Sequence, residues 1–228
     1  MMDKRVIRLD TVIYFILTII YALLLIYGII SAARNPWAIC SIFLLIVTAA
    51  LFYDNGILAI GRYIGESELL ELLNAARFWL HALFTPLLIP FTWQTLRDAD
   101  VSWVTKPLVK YGVFIVTGAI IVIEVIPLFR LSLKPIWQQG VLSYTRVGGS
   151  GGGLMILGVT VAILIASIIL WRKTGWKWLF IGLVLMGVVG GLTIPFDSKA
   201  IGNVSELVLI LALFATQKRR GGSHVYKT

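Results

Sequence analysis

Long runs of apolar residues, separated by short polar stretches, dominate the sequence. Seven of them reach about 19 residues or more, the length an α-helix needs to cross the roughly 30 Å hydrocarbon layer of a membrane. They cover residues 11–33, 36–58, 70–96, 107–129, 152–171, 176–195 and 199–217. The pattern predicts an all-α, polytopic integral membrane protein. We expect one bundle of seven transmembrane helices with short loops, followed by a basic tail over 218–228.

Polar side chains interrupt the third run at helical spacing. Asn74, Arg77, His81 and Thr85 follow one another at intervals of three, four and four residues, so they share one face of a helix. A charge in hydrocarbon costs about 2.5–3.5 kcal/mol on insertion scales and persists mainly where it meets a partner, a cavity or water. Pro86 in the same helix frees backbone carbonyl groups and is expected to bend it.

Further charged and amide groups fall at the same level of the membrane, because successive helices cross it in opposite directions. Even-numbered runs carry these groups late and odd-numbered runs carry them early. They are Asp54 and Asn55 in the second run, Glu124 in the fourth, and Asp197, Asn203 and Glu206 around the start of the seventh. We therefore expect a polar cavity between runs two, three, four and seven that opens toward one leaflet, the outer one.

The residue types in this predicted cavity suggest its ligand. Arg77 has a planar guanidinium group suited to pairing with a carboxylate, and we expect its partner to be Glu124 or Glu206. If all four acids at this level were ionised the site would be negative, so one acid holds a proton or a cation completes the balance. The cavity is therefore expected to bind or transport a small cationic, protonatable or amphiphilic ligand. His81 is the expected proton-responsive group because histidine titrates near neutral pH.

Two alternatives are also open, and whether the protein is an enzyme is left undecided. The first is an intramembrane hydrolase acting on lipid-like substrates, with His81, Glu124 and Glu206 as metal ligands and a metal-bound water as nucleophile. The second is a structural charge network that fixes the helix arrangement in a non-enzymatic membrane interaction protein.

Known seven-span proteins offer little guidance on cofactors. The chain resembles the zinc hydrolases of the ceramidase and adiponectin-receptor type only in its number of helices. Those enzymes use several histidines around zinc, whereas His81 is the only histidine in a predicted span and His224 lies in the tail. Retinal binding is not indicated, because Lys199 lies at the edge of the last predicted span rather than in its middle. No cofactor is therefore implied.

Charge and composition indicate the partners and the orientation. The chain has 59% hydrophobic residues and a net charge of +9, with the charge at the ends of spans rather than on a soluble basic face. Membrane lipids are therefore expected partners and nucleic acid is not; a homo-oligomer is not indicated. With an external amino terminus, the Lys and Arg residues outside the spans divide eleven inside to eight outside. The positive-inside rule thus favours a multi-pass cell-membrane protein with a cytoplasmic carboxyl terminus.

Glycine-rich stretches mark the longest predicted loop and two sites of packing. The loop covers 130–151 and runs into the glycine-rich segment 148–153; we expect it to lie on the surface or to fold back over the charged side of the bundle. This segment lacks the Lys-Ser/Thr ending of a phosphate-binding loop and no strand is predicted before it, so we assign it no chemistry. Gly187 and Gly191 predict tight packing of the sixth helix, and Gly61 and Gly65 repeat that spacing after the second.

Overall fold

The computed structural model describes residues 9–34, 37–148, 151–191 and 198–225. Within these ranges there are eight α-helices and one β-hairpin. The helices are α1 (Leu9–Arg34), α2 (Ile39–Ile64), α3 (Glu68–Phe84), α4 (Leu88–Asp98), α5 (Pro107–Val125), α6 (Gly153–Thr174), α7 (Trp178–Gly190) and α8 (Ala200–Val225), and the strands are β1 (Leu133–Gln138) and β2 (Val141–Arg146). The predicted all-α class is confirmed, whereas the small hairpin is a feature that the sequence analysis does not anticipate.

Six helical segments are long and apolar enough to cross a membrane. One of them, Glu68–Asp98, combines α3 and α4, because only a 3₁₀ turn at Thr85–Leu87 separates these two helices. Pro86 lies in this turn, where it interrupts the regular α-helix. α7 has 13 residues and is therefore about 20 Å long at 1.5 Å per residue. The predicted run that corresponds to α7 continues to residue 195, but its residues 192–195 lie outside the described part of the chain. Six to seven apolar helices are consistent with a membrane helical bundle.

α2 and α8 lie at the centre of the bundle. About half of the residues in their most apolar stretches are buried, 56% in α2 and 50% in α8, compared with 22% in α1. α1 packs along α2, and α7 packs along α8. The outer face of α1 carries large exposed apolar side chains at helical spacing: Val12, Ile16, Ile19, Leu23, Ile26 and Ile30. Such a continuous apolar face is suited to contact with lipid chains and would be unfavourable in water.

Two glycines allow α7 to approach α8 closely. A Cβ atom on Gly182 would collide with the side chain of Ala212, and a Cβ on Gly190 would lie 3.2 Å from Ser205 Oγ. By contrast, a Cβ built on Gly187 meets no atom within 4 Å among the residues that the structure describes. The helix therefore packs tightly inside the chain, as the sequence predicts, but through Gly182 and Gly190 rather than through Gly187.

The β-hairpin folds back onto the end of the bundle where α2 ends and α3 begins. Its strands are antiparallel, with Leu133 opposite Arg146. This is the second of the two arrangements expected for the loop. The expectation that no strand precedes the glycine-rich segment is wrong, because β2 ends only two residues before it. Six residues of β1 pair with six residues of β2, and a tight turn at Gln139 and Gly140 joins the two strands.

Contacts with α1, with α2 and with the loop before α3 hold the hairpin in place. Thr11 Oγ1 in α1 donates a hydrogen bond to the Gly140 carbonyl at 3.0 Å, and the exposed Trp137 Nε1 donates to Glu66 Oε1 at 3.1 Å. Leu142 is fully buried, and its carbonyl oxygen would collide with a Cβ atom on Gly61 of α2. Gly61 therefore provides room for a strand rather than for a neighbouring helix.

Candidate functional site

Charged and amide side chains from α2, α3 and α8 meet inside the bundle. α2 contributes two consecutive residues, α3 contributes residues three and four positions apart on one face, and α8 contributes two residues three positions apart. We call this set the polar cluster: Asp54, Asn55, Asn74, Arg77, His81, Asn203 and Glu206. All seven were expected from the sequence to lie at one level, and the structure brings them together between three helices rather than four.

Asp54 is the centre of the polar cluster. It is only 2% exposed. Its Oδ1 accepts a hydrogen bond from Arg77 Nε at 2.8 Å and lies 3.2 Å from His81 Nε2. Its Oδ2 accepts a hydrogen bond from Asn203 Nδ2 at 3.0 Å, and the same amide nitrogen lies 3.2 Å from Asn55 Oδ1. One carboxylate with partners for both oxygens thus joins α2, α3 and α8.

Asn74 connects the polar cluster to the hairpin. Its Oδ1 accepts a hydrogen bond from Arg77 Nη1 at 2.7 Å and another from the backbone N–H of Tyr144 in β2 at 3.2 Å. Its Nδ2 donates to the Leu70 carbonyl one turn earlier in α3, at 2.8 Å. The Asn74 side chain is fully buried, so these contacts fix its orientation. They also hold Arg77 through Nη1, while Arg77 Nε binds Asp54.

His81 has a polar neighbour at each ring nitrogen. Nε2 faces Asp54, and Nδ1 lies 3.4 Å from the hydroxyl of Thr85 at the 3₁₀ turn. A neutral imidazole has one donor and one acceptor nitrogen, whereas a protonated ring has two donors. The Thr85 hydroxyl can donate or accept, and the Asp54 carboxylate accepts, so this environment accommodates both states of the ring.

Two buried oxygens in this region lack a hydrogen-bond partner among the residues that the structure describes. They are Glu206 Oε2 and the Tyr21 hydroxyl. Glu206 is close enough to His81, Asp54 and Arg77 to interact with their charges, and Tyr21 interacts with the charges of Glu206 and Asp54. A buried polar atom left without a partner costs about 1–3 kcal/mol. These two groups therefore have unused hydrogen-bonding capacity beside the ion pair.

Glu124 lies apart from the polar cluster. It is buried, and its Oε1 accepts a hydrogen bond from the backbone N–H of Met155 in the first turn of α6, at 3.3 Å. A carboxylate in this position satisfies a helix-terminal N–H group and interacts favourably with the helix dipole. The predicted pairing of Arg77 with Glu124 or Glu206 is therefore wrong: the neighbouring helix α2 supplies Asp54 instead, and Glu124 faces α6.

No protein-family model and no curated protein matches this chain. Its function therefore has to be inferred from the chemistry of the polar cluster. The metal site considered for His81, Glu124 and Glu206 does not form, because Glu124 is used at the start of α6. Across the described ranges, no group of three or more His, Cys, Asp or Glu residues is arranged to hold a metal ion.

Two further acids lie near helix starts in the sequence: Asp197 shortly before α8 and Asp10 in the first turn of α1. Asp197 was expected at the cavity, but it lies outside the described residues. Asp10 was not singled out, although it is 1% exposed and its carboxylate accepts hydrogen bonds from Ser198 Oγ at 2.6 Å and from Lys199 N at 3.1 Å. Its signal in the sequence is an acid placed directly before an apolar run. Asp10 joins the start of α1 to the chain just before α8.

Proposed function

We propose that the chain is a seven-span membrane protein whose polar cluster binds, or carries across the membrane, a small cationic, protonatable or amphiphilic ligand in exchange for a proton. The observation that supports this function is Glu206 Oε2, a buried carboxylate oxygen near His81 that has no hydrogen-bond partner among the described residues. A purely structural ion pair does not require this group, because Asp54 and Arg77 already bind each other.

The charges of the polar cluster make one proton exchangeable. Asp54 and Arg77 cancel, which leaves Glu206 and His81 as the second acid and base. With Glu206 ionised and His81 neutral, the cluster carries one net negative charge inside the membrane. An unbalanced charge there costs about 2.5–3.5 kcal/mol on insertion scales, so a proton on either residue is favourable. A cation beside Glu206 removes the same charge, and proton and cation therefore compete.

The unused atoms also limit the class of ligand. Glu206 Oε2 is an acceptor, and the Tyr21 hydroxyl can donate or accept a hydrogen bond. A small protonated amine matches both, because its N–H groups can donate to the carboxylate and to the hydroxyl while its charge balances Glu206. We therefore choose methylammonium as the probe for this site.

Transport measurements in vesicles test the proposed exchange. The purified full-length chain is reconstituted with a trapped pH-sensitive dye, and a methylammonium gradient is imposed at equal pH on both sides. Wild-type protein is expected to move protons against methylammonium, and Glu206→Gln is expected to slow this about tenfold or more, because the variant lacks the carboxylate for which the proton and the cation compete. Glu68→Gln is the matched control, since it removes one exposed carboxylate at the start of α3. Equal rates in wild type and Glu206→Gln reject the exchange.

The proposal also includes the orientation expected from the charge distribution, with the amino terminus outside and α7 as the sixth of seven crossings. Cys40 is the only cysteine, so single cysteines at Ser102 and Ser132 can be labelled in a Cys40→Ser background. Both positions are exposed and lie at opposite ends of α5. An impermeant reagent added to intact cells should label position 132 and not position 102. The reverse pattern contradicts the orientation.

A structural charge network is the second candidate, and the complete pairing of Asp54 favours it. Both carboxylate oxygens have partners, and these partners join three helices and, through Asn74, the hairpin. In that case Glu206→Gln replaces an unbalanced buried charge with a neutral amide and raises thermal stability without any change in ion movement. Flux and unfolding temperature measured on the same variant therefore separate the two functions.

A further inference from the structure

A second polar site lies outside the helical spans, between the end of the α5 segment, the hairpin and the start of α6. It is a pocket of ≈ 330 Å³ whose lining includes Arg130, Ser132, Arg146, Gly148 and Gly151. None of these residues belongs to the polar cluster. The pocket is on the same side of the bundle as the hairpin, where the apolar segment Pro107–Arg130 ends and just before Gly153–Thr174 begins.

Arg146 is held in a fixed position in this pocket. Its guanidinium carbon lies 4.8 Å from the centre of the Phe78 ring, and a Cβ atom on Gly151 would collide with Nη1. The guanidinium group is thus enclosed by an aromatic face on α3 and by backbone at the start of α6. Its Nε is buried and has no hydrogen-bond partner in the described part of the chain. One donor of the planar fork is therefore unused.

The pocket contains more positive than negative charge. Neither Arg130 nor Arg146 forms a salt bridge with a carboxylate among the residues that the structure describes. The charge of Glu124 acts on Arg146, but Glu124 Oε1 already accepts a hydrogen bond from Met155 N in the first turn of α6.

Burial and the helix dipole add to the demand for an anion. Partial burial lowers the pKa of Arg146 from its usual value, and the charge of Glu124 acts in the opposite direction. The amino terminus of α6, which begins at Gly153 beside the pocket, adds the positive end of a helix dipole. A bound anion would compensate both effects.

We propose that this pocket binds a phosphate group. Two arginines match its chemistry, because the guanidinium fork forms charge-assisted hydrogen bonds with phosphate oxygens and neither arginine is paired with a described carboxylate. The exposed hydroxyl of Ser132 at the pocket wall supplies a further donor. The phosphate comes from the headgroup of an anionic lipid or from a soluble phosphate, and both present the same oxygens to the arginines.

Thermal unfolding of the full-length chain in a zwitterionic detergent tests this site. The probes are short-chain phosphatidylglycerol, short-chain phosphatidylcholine as the zwitterionic comparison, and inorganic phosphate with chloride at matched ionic strength. Binding to the folded state raises the unfolding temperature with probe concentration, so each titration gives an apparent affinity. Stabilisation of wild type by phosphatidylglycerol alone identifies a lipid headgroup, and stabilisation by inorganic phosphate identifies a soluble source.

Charge-matched variants assign the effect to the pocket. Arg146→Gln and Arg130→Gln each remove one arginine and are expected to weaken the apparent affinity about tenfold or more. Lys134→Gln is the control, because Lys134 is an exposed cation on the same hairpin whose neighbour across the strands is Thr145 rather than a pocket residue. It should change the affinity less than about threefold. If Arg146→Gln does not fold, the exposed Arg130 still provides the comparison.

Three outcomes overturn the proposal: neither phosphate probe stabilises wild type beyond its comparison compound, both arginine variants keep wild-type affinity, or Lys134→Gln weakens binding as much as they do. The last outcome would mean that the hairpin attracts anions through its overall charge and not through this pocket.

Discussion

Asp54→Asn should destabilise the protein more than Arg77→Gln, although the two residues form one ion pair. Asp54→Asn leaves Arg77, whose side chain is 14% exposed, without a carboxylate in salt-bridge range within the described structure. Breaking a buried pair by removing one partner costs about 3–5 kcal/mol, and a lone charge in the membrane about 2.5–3.5 kcal/mol. We therefore expect a loss of about 3 kcal/mol, equivalent to roughly 6–12 °C in unfolding temperature for a chain of this size.

Arg77→Gln should cost less, because Asp54 keeps His81 at 3.2 Å and a protonated imidazole replaces part of the lost charge. The double variant removes both charges, so its loss of stability should be smaller than the sum of the two single losses by about 1–3 kcal/mol. Thermal unfolding of the four proteins in detergent measures this difference, with Glu68→Gln as a single-charge control. If the losses in the double variant simply add, or if Arg77→Gln is the more harmful change, the pairing described here is not what stabilises these helices.

Two further substitutions test contacts that lie outside the polar cluster. Gly61→Ala places a Cβ against the Leu142 carbonyl and should lower the free energy of unfolding by about 1–3 kcal/mol, with faster hydrogen exchange in the hairpin. Gly118→Ala is the control and should be neutral, because its Cβ would meet no described atom. Equal effects of the two substitutions would contradict the close approach of Gly61 to the hairpin. Glu124→Gln keeps an acceptor for Met155 N but removes the negative charge beside the amino terminus of α6. The free energy of unfolding should therefore fall by about 0.3–2 kcal/mol, while proton movement stays at the wild-type rate. A large loss of proton movement would instead place Glu124 in the transport site.

The sequence could predict that polar residues of α2, α3 and α8 lie near one another, because this depends only on position along each helix and on alternating helix directions. The stripe on α3 and the acid late in α2 were located in this way. Rotation about the helix axis could not be predicted, because it depends on which neighbours pack against each face. Glu124 therefore faces α6 instead of the polar cluster, and the partner of Arg77 is Asp54 rather than Glu124 or Glu206.

The hairpin could not be predicted from the sequence for a different reason. Its strands have no clean alternation of apolar and polar residues, because β2 buries Val141, Leu142 and Tyr144 against the ends of two helices. The one local signal is the turn, where Gln139 and Gly140 both have positive φ angles of 47° and 81°. A two-residue turn of this kind usually contains Asn-Gly or Asp-Gly, so the Gln-Gly pair predicts it only weakly.

The spacing of the contacts to Asp54 along the chain has a consequence for biogenesis. Arg77 is 23 residues from Asp54 and lies on the next helix, whereas Asn203 is 149 residues away. During synthesis, α2 and α3 can enter the bilayer as a neutralised helical pair, and each spares the other the expense of inserting a bare charge. The amide from α8 is synthesised 149 residues after Asp54. The early pairing of α2 with α3 and the later packing of α8 therefore use the same carboxylate at two separate times.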